Sequence, residues 1–226
     1  MKRAIIIMAK VPVAGTVKTR LQPFLTPEQC AELAAAFLQD AENKAKTICK
    51  KIILAYSPAN ERDALENILQ TKNILVEQKG DNLGERMSNA FKFAFGRGSD
   101  AVVMIGTDSP AFAAEFIEQA FEFLETDSDL VLGKAADGGF YSIGLRKFVP
   151  RLFDGVAWST DSVYEQIVKN AERLGLGKLS VLPRCYDVDT PDDFFVLRDE
   201  MLVVTEIQKR APATYQWLLL HPELFG

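Results

Sequence analysis

The feature that most constrains the fold is an alternation of short apolar segments with longer amphipathic segments. Ala4–Ala9, Lys51–Tyr56 and Ala101–Ile105 are almost wholly apolar and mostly rich in β-branched residues, which predicts strands buried on both faces of a parallel sheet. The segments between and after them, such as Phe112–Leu124, have the apolar spacing of helices. Strands that alternate with helices predict an α/β fold, a three-layer αβα sandwich with helices on both faces of the sheet.

The second half of the chain predicts a less regular continuation of the same sheet. Asp129–Gly133 and Phe140–Leu145 are predicted strands, the second of them antiparallel, and Asp161–Leu174 is a predicted helix. The sheet should therefore be mixed but mostly parallel. We expect a single domain over residues 1–226, in which residues 194–226 form a helical C-terminal extension.

Composition excludes several classes of function. The chain has 226 residues and a net charge of -5, whereas a protein that wraps nucleic acid needs a concentrated basic surface. The single histidine, His221, argues against a histidine-based zinc site. Apolar runs stay well below the roughly 18 residues of a membrane span. We therefore expect a cytoplasmic protein that binds neither nucleic acid nor membrane, and the apolar stretch Trp217–Leu220 could contribute to a homodimer or to the core.

A basic loop directly follows the first predicted strand. Lys10, Lys18 and Arg20 lie in it, with Gly15 between them. Such a loop at the carboxyl end of a strand suits a diphosphate or triphosphate, because a glycine lets the backbone approach the anion and Arg can bind phosphate through two nitrogens. The spacing is neither that of a Walker A loop nor that of a dinucleotide fingerprint. The alternative is a solvated basic loop.

Aspartates follow two later segments and suggest a metal site. Asp108 comes directly after the strand Ala101–Ile105, and Asp187 and Asp189 precede a helix that Thr190 would cap. Carboxylates in such positions can hold Mg²⁺ or Mn²⁺ together with phosphate oxygens. We predict that Asp108 and Asp189 meet across the metal. The alternative for Asp108 is a cap of the next turn or helix.

Three further segments are candidates for the rest of a binding cleft. Each has a structural alternative: a hairpin turn for the Asp-Gly pair, a plain loop and cap for the two-glycine segment, and a helix-flanking position for the tryptophan. The candidates are Asp137, Gly138, Gly139 and Tyr141 in the first segment, Gly80, Asp81 and Arg86 in the second, and Trp158 in the third.

Taken together, these motifs resemble those of a known bacterial family. In order they read K-x-P-x-x-G-x-V-K-T-R-L, G-D-N-L-G-E-R-M, G-T-D-S-P, A-D-G-G-F-Y, W-S-T and D-V-D-T-P-D-D, within residues 1–193. The pattern is similar to that of the DUF2064 family, described as glycosyltransferases and related to the nucleotide-diphospho-sugar transferase superfamily. The resemblance implies a fold like that of GT-A enzymes, with a seven-stranded mixed sheet.

The resemblance also implies roles for the candidate residues. Lys18 and Arg20 would bind nucleotide phosphates, and Asp108 and Asp189 would bind the metal. The segment Gly80–Arg86 would lie near the base, and Asp137–Tyr141 near the acceptor. The sequence departs from sugar-1-phosphate nucleotidyltransferases, which carry G-x-G-T-R, and from typical glycosyltransferases, which carry D-x-D; here Ser109 and Pro110 follow Asp108.

These observations predict a transferase that acts on a nucleotide or nucleotide-sugar and a small acceptor with the help of Mg²⁺ or Mn²⁺. The catalytic residues would be Lys18 and Arg20, which neutralise phosphate charge, and Asp137, which could act as a base. Both glycosyl and nucleotidyl transfer fit the motifs. A non-catalytic module that binds a nucleotide on the same fold is the alternative, and it predicts binding without turnover.

Overall fold

The structure is a computed structural model that describes residues 1–22, 24–70 and 72–225. Seven strands form one sheet: β1 (Arg3–Lys10), β2 (Ile52–Ser57), β3 (Ile74–Glu77), β4 (Ala101–Ile105), β5 (Ser128–Ala135), β6 (Phe140–Leu145) and β7 (Lys178–Cys185). The α-helices are α1 (Pro27–Ile48), α2 (Arg62–Ile68), α3 (Leu83–Gly96), α4 (Glu115–Thr126), α5 (Val163–Arg173), α6 (Pro191–Val203), α7 (Thr205–Arg210) and α8 (Pro212–Leu220).

The strand order is β3-β2-β1-β4-β6-β5-β7. β6 is antiparallel to both of its neighbours, and the other neighbouring pairs are parallel. β1, β4, β5 and β7 therefore end at the same edge of the sheet. The predicted mixed sheet of seven strands is confirmed, including the antiparallel direction of Phe140–Leu145.

Two apolar clusters cover the two faces of the sheet and make it the middle layer of three. On β1, Ile5 and Ile7 pack into the cluster under α1 and α4, whereas Ala4 and Ile6 pack into the cluster under α3 and α5. This alternation explains why the strand is apolar at consecutive positions. The three-layer αβα sandwich is thus confirmed.

One predicted helix begins later than expected. The periodicity predicts a helix from Phe112, but α4 begins at Glu115. Phe112 is buried and packs against the ring of Tyr141, with 5.3 Å between the ring centroids. Phe112 therefore continues the apolar spacing of the helix but packs against Tyr141 instead, and the chain before α4 forms a turn.

The C-terminal helices pack on α1 and form a third apolar cluster. Phe194 and Trp217 are buried there against Phe37 and Leu33. Trp217 thus belongs to the core, whereas Leu219 and Leu220 at the end of α8 are exposed. The first of these helices, α6, begins at Pro191. Among the helices of the described ranges, none combines the length and the apolar character needed to cross a bilayer.

Two capping boxes begin α1 and α6, and they allow a matched test of stability. The hydroxyl of Thr26 accepts from the Gln29 backbone at 3.1 Å, and that of Thr190 accepts from the Asp193 backbone at 3.3 Å. We expect Thr26→Ala and Thr190→Ala each to lower the free energy of unfolding by about 1 kcal/mol, because each exposes an unpaired helix N–H. Urea denaturation measures both values, and no loss in either variant would contradict the prediction.

Candidate functional site

Two adjoining clefts lie at the edge where β1, β4, β5 and β7 end. The smaller has a volume of about 300 Å³ and is lined by the loop after β1, and the larger has a volume of about 660 Å³. Five residues line both clefts: Met8, Lys10, Arg20, Asp108 and Asp189. Ligands of α/β sheets bind at this edge, so the predicted basic and acidic residues lie where such a ligand would meet them.

Lys18 is the centre of the smaller cleft. Its backbone is left-handed, with φ of 47°, and its side chain is 7% exposed. The ammonium donates to the carbonyl of Val188 at 2.8 Å and to Asp189 Oδ1 at 3.1 Å, and it forms a closer ion pair with Asp108 Oδ1. Burial alone would lower the pKa of Lys18, but the attraction of Asp108 and Asp189 outweighs it and raises the pKa above its ordinary value.

The other cations of the loop are more open. Lys10 and Arg20 are exposed at the rim of both clefts, and Lys10 Nζ donates to the carbonyl of Thr16 at 2.5 Å. Gly15 has a positive φ of 77° and lies outside the residues that line the clefts. Its place is in the turn that brings Thr16 back to Lys10, rather than at the surface of the cleft.

The two predicted metal aspartates lie on either side of the Lys18 ammonium. Their side chains remain open, 51% exposed for Asp108 and 41% for Asp189. The backbone joins their loops, because the N–H of Val188 donates to the carbonyl of Asp108 at 2.8 Å. Asp193 fixes the start of α6 by accepting from the N–H of Asp189 at 3.1 Å. The structure therefore brings together two carboxylates that lie 81 residues apart in the sequence.

Asp187 adds a third, less open carboxylate to the site. It accepts a short hydrogen bond from the hydroxyl of Ser109. Burial raises the pKa of Asp187 to about 6, and the negative charges of Asp108, Asp137 and Asp189 add to this effect. Asp187 also lines the larger cleft, and the hydrogen bond from Ser109 holds its carboxyl group in place.

Several of the predicted site residues line the larger cleft. The lining includes Arg86, Asp137, Gly139, Tyr141 and Trp158. Asp137 is exposed, and one of its oxygens accepts from the N–H of Gly139 at 2.9 Å. Tyr141 is buried at this wall, and its hydroxyl donates to the carbonyl of Pro183 at 2.9 Å. Trp158 packs against Phe153 and is half-buried.

Three further predicted residues lie beside the larger cleft. Gly80, Asp81 and Gly138 lie outside the residues that line it. The carbonyl of Gly80 accepts from Arg86 Nε at 3.1 Å, and the N–H of Asp81 donates to Glu85 at 2.8 Å, so both fix the turn before α3. Gly138 packs its backbone against Asp161 at a φ of 91°.

Sequence reasoning missed Lys44, a lysine on α1 behind the Asp108 loop. Its side chain is buried, its Nζ donates to the carbonyl of Pro110 at 2.8 Å, and the ammonium lies 5.1 Å from the centre of the Phe112 ring. Burial lowers the pKa of Lys44 to about 8. The signal was present, because Lys44 follows Ala41 by three positions and therefore lies on the apolar side of the helix.

This pKa predicts a pH-dependent contribution to stability. The pKa of Lys44 in the folded protein, about 8, lies below the ordinary value of 10.5. Between these values the unfolded chain binds more protons, so the free energy of unfolding should rise with pH. Relative to Lys44→Met, the wild type should gain about 1 kcal/mol between about pH 7 and about pH 9. Denaturation at each pH tests this, with exposed Lys92→Met as the control. A pH-independent difference would contradict it.

Asp108 and Asp189 could hold a divalent cation whose coordination shell is completed by phosphate oxygens and waters. Within the part of the chain that the structure describes, no three or more His, Cys, Asp or Glu side chains are grouped to hold a metal ion. Mg²⁺ in nucleotide sites is commonly held by one or two carboxylates together with phosphate oxygens and waters. The two open carboxylates of Asp108 and Asp189 fit that pattern, provided that Lys18 moves its ammonium away.

The chain is similar in sequence and in fold to known proteins. A family profile described as “Uncharacterized protein conserved in bacteria (DUF2064)” matches residues 34–160. A crystal structure of a candidate nucleotide-diphospho-sugar transferase from Desulfovibrio desulfuricans G20 is 32% identical in sequence and superposes with a TM-score of 0.88 over 99% of this chain and 97% of that one.

Two more distant proteins share parts of the sequence or the fold. A 2-phospho-L-lactate guanylyltransferase from Methanobrevibacter ruminantium is 26% identical over an alignment of 169 residues that covers 68% of this chain and 70% of that protein. Glucosyl-3-phosphoglycerate synthase from Mycobacterium tuberculosis, solved with Mn²⁺ and UDP, superposes with a TM-score of 0.54 over 93% of this chain and 80% of that one. Its 12% sequence identity makes this a similarity of fold alone.

Proposed function

Since the chain belongs to the DUF2064 family, and its cleft combines three cations with two open carboxylates, we propose that it is a transferase for a nucleotide donor. The reaction that fits best is nucleotidyl transfer from a nucleoside triphosphate to a small phosphorylated acceptor. The observation that carries this proposal is the cluster of Lys18, Asp108 and Asp189, with Lys10 and Arg20 at its rim. The similarity to a guanylyltransferase supports it.

The donor would lie across both clefts. Its phosphates would occupy the smaller cleft, where Lys10, Lys18 and Arg20 can neutralise their charge. Its base and sugar would extend into the larger cleft toward Arg86, and the acceptor would approach along the wall that contains Asp137 and Trp158. The two volumes, about 300 and 660 Å³, are in the range of small-molecule sites.

Asp108 and Asp189 would hold the divalent cation, Mg²⁺ or Mn²⁺, which supplies positive charge against the phosphates when it is bound. The remaining chemistry belongs to the side chains. An oxygen of the acceptor phosphate attacks the α-phosphorus, the bond to the bridging oxygen of the β-phosphate breaks, and pyrophosphate leaves. The nucleophile is already an anion, so no base is needed. Lys18 and Arg20 stabilise the charge that builds on the leaving pyrophosphate.

Glycosyl transfer is the second candidate, and Asp137 is the observation that favours it. Its exposed carboxylate lies in the larger cleft and is oriented by the Gly139 N–H. In this reaction an acceptor hydroxyl attacks the anomeric carbon, the bond from that carbon to the diphosphate oxygen breaks, and the nucleoside diphosphate leaves. The hydroxyl proton would pass to Asp137. Nucleotidyl transfer to a phosphate needs no base. Asp137→Asn should therefore slow glycosyl transfer but not nucleotidyl transfer, which separates the two reactions.

The products decide between these reactions. Purified protein is incubated with Mn²⁺ and a panel of acceptors, once with each nucleoside triphosphate and once with nucleotide-sugars. Pyrophosphate released with a triphosphate supports nucleotidyl transfer, and nucleoside diphosphate released from a nucleotide-sugar supports glycosyl transfer. Binding of a nucleotide without either product over the whole panel would support a non-catalytic module instead. Asp192→Asn, at an exposed position in the first turn of α6, is the control variant.

Two further properties are proposals of the same kind. A cytoplasmic location agrees with three free cysteines among the residues described, because thiols remain reduced in that compartment. A homodimer would use the exposed apolar ends of α6 and α8, where Val203 and Leu220 are 81% and 68% exposed. Light scattering over a range of concentrations measures the oligomeric state, and a strictly monomeric protein would remove the dimer.

A further inference from the structure

The Lys18 ammonium occupies the position between the two carboxylates that are proposed to hold the metal. Its contacts are the Val188 carbonyl, Asp189 Oδ1 and Asp108 Oδ1, and the Phe37 ring lies 5.4 Å away. The side chain is 7% exposed, whereas the two carboxylates are about half exposed. A divalent cation that enters between these carboxylates therefore meets a charged group already bound to the same oxygens.

The Lys18 ammonium and a free divalent cation would compete for the same two carboxylates. With Lys18 in place, its ammonium already neutralises part of the negative charge of Asp108 and Asp189. A free divalent cation would lie a few ångströms from the ammonium, where repulsion is strong in a partly buried site. A triphosphate that arrives with the metal supplies several negative charges, and it gives the ammonium a new partner.

We infer that Lys18 is a specificity-determining residue, which makes the site accept a metal–nucleotide complex and reject the free metal ion. This inference rests on the proposed function, since it concerns the same cleft. In the resting protein Lys18 neutralises Asp108 and Asp189 in place of a metal. When the complex binds, the ammonium moves to the phosphates and releases both carboxylates to the cation.

The left-handed backbone of Lys18 is an unfavourable conformation of the kind that proteins keep at functional sites. A lysine at φ of 47° and ψ of 36° is in a region that costs about 1 kcal/mol or more for residues with a side chain. The Sγ of Cys30 on α1 donates to the Lys18 carbonyl at 3.5 Å, and Leu21, three residues later, is anchored in the C-terminal apolar cluster. The backbone is thus fixed, and the exchange of partners would need only rotation of the lysine side chain.

The test is a titration with Mn²⁺ alone, followed by loss of the electron paramagnetic resonance signal of the free ion. We expect weak binding to the wild type and an affinity at least ~10-fold higher for Lys18→Met, because removal of the ammonium frees two carboxylates. The gain should disappear in Lys18→Met/Asp108→Asn, which has lost one of them. Lys92→Met removes an exposed positive charge that lies outside both clefts, and should change the affinity by less than about threefold.

A second variant protects the test against misfolding. Lys18→Asn keeps a residue type that tolerates the left-handed backbone, and it should show the same gain when circular dichroism indicates a native fold. Equal affinity of the folded variants and the wild type for Mn²⁺ alone would overturn the inference. So would tight binding of free Mn²⁺ to the wild type. A gain in affinity without turnover of any donor would support the role of Lys18 and contradict the proposed function, so the two failures are distinguishable.

Discussion

Asp108→Asn should lower the rate of group transfer by about 10³-fold. Asp108 lies in the loop that follows β4 and pairs with Lys18, and its open side chain lines both clefts. The amide of asparagine has nearly the same shape but no charge, so it binds a divalent cation poorly and leaves Lys18 with one carboxylate instead of two. A loss of about 10³-fold corresponds to about 4 kcal/mol of transition-state stabilisation.

The measurement is kcat/KM for the donor that the product assay identifies, with thermal unfolding as a check on the fold. Asp192→Asn makes the same chemical change three residues after Asp189, at an exposed position, and should retain wild-type kcat/KM. Activity of Asp108→Asn within about tenfold of wild type would mean that the carboxylate is not part of the reaction centre. The proposed metal site would then lose its main ligand.

Gly138→Ala should lower the free energy of unfolding by about 3 kcal/mol, the largest effect on stability that we expect. Gly138 has a φ of 91°, where side chains are strained, and an added Cβ would overlap the backbone carbonyl of Asp161. Both obstacles are backbone, so no side chain can rotate to relieve them. The N–H of Tyr164 also donates to the Gly138 carbonyl at 3.0 Å, and this hydrogen bond would be disturbed.

Gly98→Ala is the matched control for the strain of the backbone alone. Gly98 has a φ of 76°, and an added Cβ there meets no atom within 4 Å. Its loss should be about 1 kcal/mol, so the difference between the two variants measures the overlap with Asp161. If denaturation gave equal losses, the wall of the larger cleft would be looser than the packing of Gly138 on Asp161 indicates.

The sequence predicted best those features that depend on local patterns. Consecutive apolar residues such as Ile5, Ile6 and Ile7 indicated a strand covered on both sides, and Thr190 indicated where a helix begins. The parallel arrangement then implied that loops after β1 and β4 would lie at one edge, which is why Lys18 and Asp108 were expected in one cleft. Each of these inferences needs only residues that are close in the chain.

Some features depend on contacts between distant segments for which the sequence contains no local pattern. The ammonium of Lys18 lies between Asp108 and Asp189, which are 90 and 171 residues away along the chain, and no local pattern indicates that geometry. Lys44 contacts Pro110 across 66 residues. The roles of the glycines were also ambiguous. Gly80 and Gly138 lie in polar segments of the kind that bind ligands, but both also allow a close approach of the backbone that a side chain would prevent.

The third apolar cluster has a consequence for how the protein opens. Leu21 from the basic loop and Val188 from the segment before Asp189 are buried in the same cluster as Phe194 of α6 and Trp217 of α8. Segments that share a buried cluster tend to unfold as one cooperative unit. Amide protons in the basic loop and in α8 should then exchange with solvent at a common rate of opening. The basic loop and the segment before Asp189 would thus unfold together. A change that destabilises α8 would therefore also open the proposed phosphate site.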